Sequence, residues 1–130
     1  MANRFDVKPS DTRDPKESES AAAHVKELQE KDFEKEVAEA PLPVVLDFYG
    51  TDSKPCDALA PRYAAVAEKF AGKVRFLKVL RQQNLELAAK LSVTGAPTVL
   101  FFKDGKELGE RLSGEVQRTA LKAGVEALLA

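Results

Sequence analysis

The chain of 130 residues balances 20 Lys and Arg against 21 Asp and Glu, a formal charge of -1, which gives no electrostatic footprint for nucleic acid or an anionic membrane. It is long enough for one well-packed core and too short for two ordinary domains. Its longest apolar stretches, 42–49 and 96–102, fall well short of the ~20 residues that span a bilayer, and a single cysteine, Cys56, excludes an internal disulfide.

Residues 1–22 mix charges of both signs with Pro9, Pro15 and serines. Such a segment cannot bury enough apolar surface to offset its ordering entropy, which predicts a disordered charged tail ahead of one domain over 23–130. The tail lacks the apolar stretch of a secretion signal, so, a trimmed leader aside, a cytoplasmic address is expected, and the lone cysteine suits that reducing compartment.

From His24 onward the pattern changes. HVKEL alternates as an edge strand does, and KDFEKEVAEA places Phe33, Val37 and Ala40 on one helix face. Pro41 and Pro43 end that helix, and the near-continuous apolarity of VVLDFYG predicts a central strand covered on both faces, with Asp47 as its one exception. After the polar loop TDSKP, the spacing of Cys56, Leu59, Tyr63, Val66 and Phe70 predicts a helix kinked by Pro61 and ended by a left-handed Gly72. Residues 74–79 read as a further strand, and Asn84 as the cap of a short helix over 85–91. Two strands, 98–102 and 107–112, flank Asp104 and Gly105, a strong hairpin signal. Val116, Ala120, Leu121, Val125 and Leu128 mark a last helix. The alternation predicts an α/β fold, a mixed central β-sheet flanked by helices on both faces.

The segments VVLDFYGTDSKPCDALAP and TGAPTVLFFKDGKELGERLSG resemble the thioredoxin family, and the likeness runs from about residue 23 to the end. In that family a strand with a buried acid leads through an aromatic residue into a CxxC motif with proline before the second cysteine, and then into a proline-containing helix. The matching positions here are Asp47, Tyr49, Ser53, Lys54, Pro55, Cys56 and Pro61. Pro97 matches the family's cis-proline, Gly114 its glycine at the end of the last strand, and Lys78 the lysine beside the acid. The resemblance therefore implies the thioredoxin fold and thiol–disulfide exchange on a protein or peptide client.

The departure lies at Ser53, which stands where the family has its nucleophilic cysteine and makes the motif SKPC. In the family's reaction an acidic thiol at a helix N-terminus attacks the client disulfide, and the second cysteine releases it. A serine hydroxyl has no comparable anionic fraction and cannot close the internal disulfide. Cys56 takes the resolving position, beneath the surface, where Asp47 would accept its proton; taken alone it reads as a small buried hydrophobe. The client rim also differs: Asp52 replaces the family's tryptophan, and Ala96 a bulky residue before the cis-proline. Lys54, Pro55 and Gly114 complete that rim.

Three readings follow. The first is a redox-impaired binding module that holds a client in the groove around Ser53, Cys56 and Pro97, as some family members with an SxxC loop act as chaperones. The second is a protein-disulfide oxidoreductase in which Ser53 substitutes for a native cysteine. The third is a single-thiol role for Cys56. One cysteine and the isolated His24 cannot build a zinc site, so no metal or cofactor is expected, and the chain reads as a monomer.

Overall fold

The run VVLDFY becomes the middle of the sheet because it has no polar face to turn toward water. In the computed structural model, which describes residues 24–130, every residue of Val44–Tyr49 (β2) but the last is buried. It pairs in parallel with Arg75–Leu80 (β3) and antiparallel with Thr98–Lys103 (β4). Val25–Glu27 (β1) adds to the far side of β3 in parallel, while Lys106–Glu107 (β5) and Leu112–Ser113 (β6) both pair antiparallel with β4. Among the described residues the order is β1-β3-β2-β4-β5, with β6 beside β4, the mixed sheet expected. The tail expected over 1–22 lies outside the described residues.

Period-two alternation divides the core into two layers. Val45, Phe76, Val99 and Phe101 meet Leu59, Tyr63 and Val66 of Lys54–Lys69 (α1), and Leu121, Val125 and Leu128 of Arg118–Leu129 (α3). Leu46, Phe48, Leu77 and Leu100 meet Phe33, Val37 and, from Leu85–Lys90 (α2), Leu87 and Ala88. Asp47 falls on the first layer by the same alternation, in register with Lys78. Tyr63 fixes α1 to the sheet, its buried hydroxyl lying 2.9 Å from the Val45 carbonyl and 2.6 Å from that of Leu77. Pro61 lies inside α1 without ending it, and Gly72 follows at φ +85°.

Three local expectations are corrected. The helix expected over 31–40 is a 3-10 turn at Glu30–Asp32 followed by a π turn at Glu34–Ala38. The Glu36 carbonyl accepts from the Arg75 guanidinium at 3.1 Å, and Ala40 N–H, its α-helical donor, goes to Val37 O instead. Asn84 precedes α2 but does not cap it: its Oδ1 accepts from Glu30 N–H and its Nδ2 donates to Leu80 O, both at 2.9 Å. Glu30 Oε1 accepts from Leu87 N–H in the first turn of α2. Finally, the strand expected over 107–112 is split into β5 and β6 by a loop holding Gly109 at φ +72°. The hairpin turn itself forms at Asp104 and Gly105, both with positive φ, as a type I′ turn requires.

Candidate functional site

The end of β2, the loop after it and the first turn of α1 place the motif residues. Ser53 is extended, and its Oγ accepts from Cys56 N–H at 3.3 Å, so the serine caps α1. Lys54 and Pro55 follow in the first turn, both exposed. Cys56 turns inward at 6% exposure and accepts a hydrogen bond from Gly50 N–H at its Sγ, 3.3 Å away. The loop is braced from β3's far end: Thr51 N–H donates to Gln82 Oε1 at 2.9 Å, and Gln82 Nε2 donates to Thr51 Oγ1 at 3.1 Å. Asp52, exposed, takes the left-handed region at φ +55°, which aspartate tolerates better than most residues.

Behind this loop is a cavity of about 400 Å3 lined by Asp47, Tyr49, Asp52, Cys56, Tyr63 and Lys78, among others. Asp47 is 5% exposed, and its Oδ1 has no hydrogen-bond partner among the described residues. Burial pushes its carboxyl from the ordinary 3.8 up to about 7, against the opposing pull of the Lys78 charge. The Lys78 ammonium lies over the Tyr49 ring, 5.3 Å from its centroid. Tyr49 in turn donates its hydroxyl to Glu27 at 3.0 Å, and burial together with that acceptor pushes the phenol up to about 12. Burial likewise holds the Tyr63 phenol well above its ordinary range.

A second concavity, about 370 Å3, runs past Thr94, Gly95, Ala96, Pro97, Arg111 and Gly114. The Ala96–Pro97 bond is cis, and Gly114 has φ +70°. This loop faces the first one: a Cβ built on Gly50 would stand 3.5 Å from that of Ala96. The structure thus gathers Asp47, Asp52, Cys56 and Lys78 around one cavity and Ala96, Pro97 and Gly114 around the other, while Ser53, Lys54 and Pro55 line neither.

Two bracing residues escaped the sequence reading. Gln82 holds the Thr51 backbone, and Arg111 donates to the Leu91 carbonyl at 2.6 Å and the Ser92 carbonyl at 3.2 Å while pairing with Glu107 at 2.7 Å. Neither has a local sequence signal, because each acts on a segment about twenty or more residues away. Among the described residues no group of three or more His, Cys, Asp or Glu could hold a metal ion, and no helix is long and apolar enough to cross a membrane.

A parallel strand–helix–strand unit with a buried acid on its first strand, an inward cysteine in the first helical turn and a cis-proline loop opposite belongs to the thiol–disulfide exchange class of folds. The thioredoxin family model matches residues 24–127. The chain is 32% identical over 119 residues to Thioredoxin X, chloroplastic, of Arabidopsis thaliana, covering 91% of this chain and 65% of that protein. It is 31% identical over 107 residues to Thioredoxin 1 of Nostoc sp., covering 82% of this chain and 96% of that one. A 90-residue match at 38% identity to Protein disulfide-isomerase A3 of Gallus gallus covers 69% of this chain and 18% of the relative. The chain belongs to the thioredoxin family.

Proposed function

We propose that this thioredoxin-family protein binds a protein client at the groove around Ser53, Cys56 and Pro97 without turning over the client's disulfides, as a monomer in the cytoplasm. The observation that carries the reading is the hydroxyl of Ser53 at the N-cap of α1, where the family's reaction needs a thiol, in a chain whose only cysteine is Cys56. An alcohol at this position is not ionised near neutral pH, so it neither attacks a disulfide nor joins Cys56 in one. Thr94 and Gly95 are exposed and Ala96 half-buried in the bend before β4, and this segment, lining the second concavity, is where an extended peptide would lie alongside the chain.

The test is insulin reduction with dithiothreitol as electron donor, together with binding of a reduced, carboxymethylated polypeptide. The chain should show no reduction above background, and it should bind the polypeptide. Ala96→Glu, which places a charge on the groove edge, should abolish the binding. Ser53→Cys should gain reductase activity. Turnover of insulin by the unmodified chain would overturn the redox-impaired reading in favour of an oxidoreductase, and loss-free binding by Ala96→Glu would overturn the groove.

A further inference from the structure

The cavity behind the motif loop is acidic, and its floor is unsatisfied. We propose that it receives a basic side chain, a lysine or arginine of the client segment, with the aliphatic stem along Val25, Ala60 and Ala64 and the cationic head at Asp47. The inference rests on the client-binding reading and names a chemistry for the client.

Among the described residues three carboxylates, Asp47, Asp52 and Asp57, line this space against one cation, Lys78. Acidic rims are common on solvated surfaces, and the rim alone would mean little. What distinguishes this one is its floor. Asp47 is almost wholly buried and presents an oxygen that no donor of the described protein reaches, and a buried acceptor left without a donor is costly.

The lysine in register with Asp47 does not fill that role, since its ammonium rests over the Tyr49 ring, and Tyr49 is itself held by Glu27. An incoming ammonium or guanidinium supplies the missing N–H and a compensating charge in one group. The walls suit the rest of such a side chain. Val25, Ala60 and Ala64 offer apolar contact to methylenes, the amphipathic arrangement that long basic side chains favour. A purely apolar occupant would leave the carboxylate dry, and an anion would meet three acids. The volume of about 400 Å3 accommodates one long side chain and no folded segment.

The experiment is a titration of the isotopically labelled full chain, followed by two-dimensional amide NMR, with n-butylammonium, n-butylguanidinium and the neutral control n-butanol. The cations should give saturable shifts at Gly50, Cys56, Ala60 and Ala64, with the alcohol at least about tenfold weaker. Asp47→Asn should weaken the cations by about tenfold or more, and Lys78→Met, which removes the competing charge, should tighten them. Equal midpoints for alcohol and cations, unchanged cation binding by Asp47→Asn, or no saturable shift in the cavity would each overturn the proposal. Should Asp47→Asn fail to fold, the comparison of cation with alcohol on the unmodified chain decides alone. Because this assay contains no polypeptide, a negative result leaves groove binding standing, and a failure of groove binding leaves the cavity result intact.

Discussion

Replacing Asp47 by Asn removes the only buried carboxylate among the described residues and keeps its shape. Burial raises this acid from 3.8 to about 7 in the folded chain, so between those values the folded state keeps a proton that the unfolded state has released. Stability contributed by this group is therefore highest below about pH 4 and falls as pH rises toward 7, then levels off. A span of roughly three pH units at about 1.4 kcal/mol each puts the loss at roughly 4 kcal/mol. Asn does not titrate, so the variant and the parent should diverge with pH, the variant gaining on the parent up to neutrality. The unpartnered Oδ1 position is common to both chains and cancels in the comparison. Urea unfolding of both chains at several pH values from 4 to 9 reads the effect as a difference of midpoints, in which the other titrating groups cancel. Parallel curves across that range would refute the reasoning: Asp47 would then be no harder to ionise in the folded chain than in the unfolded one.

Cys56, largely covered in the first turn of α1, should react at least about tenfold more slowly with a bulky aromatic disulfide in the folded chain than in concentrated urea, since reactivity follows access as well as thiolate content; equal rates would show the sulfur to be open. Tyr63→Phe deletes a buried hydroxyl placed against two strand carbonyls and should cost about 1–2 kcal/mol in chemical denaturation. Gly124→Ala should destabilise although alanine is the better helix former by about 1 kcal/mol, because its Cβ would stand 2.4 Å from the Phe101 ring in the core; a raised melting temperature would mean that the ring moves freely.

The central strands were legible because 44–48 and 98–102 have nothing polar to show except Asp47 and Thr98, and only a position covered on both faces suits such runs. The resemblance singled out Asp47, Ser53, Cys56 and Pro97, and the structure brings Asp47 and Cys56 to one cavity and Pro97 to the other, with Ser53 capping the helix between β2 and β3. At two of the corrected places a partner distant in sequence is involved. Residues 34–38 have helical composition, yet an arginine 39 positions away takes the Glu36 carbonyl that an α-helix would offer to Ala40 N–H. Asn84 stands where a cap belongs, and a backbone N–H 54 residues earlier claims its side chain. The split of the hairpin's second strand had a signal in Gly109, though a single glycine in a polar stretch does not say which way the chain will bend.

The bracket between Glu30 and Asn84 also bears on how the molecule breathes. β1 has three residues, too few to hold an edge by themselves, and α2 is under two turns long. Glu30 N–H on Asn84 and Leu87 N–H on Glu30 tie these two weak pieces to each other across more than fifty residues of chain. Their amides should therefore exchange with solvent deuterium at a common rate, as one cooperative opening unit, ahead of the β2–β3–β4 centre. The motif loop hangs on Gln82, just outside that unit, so the first part of the domain to loosen borders the loop that carries Ser53 and Cys56.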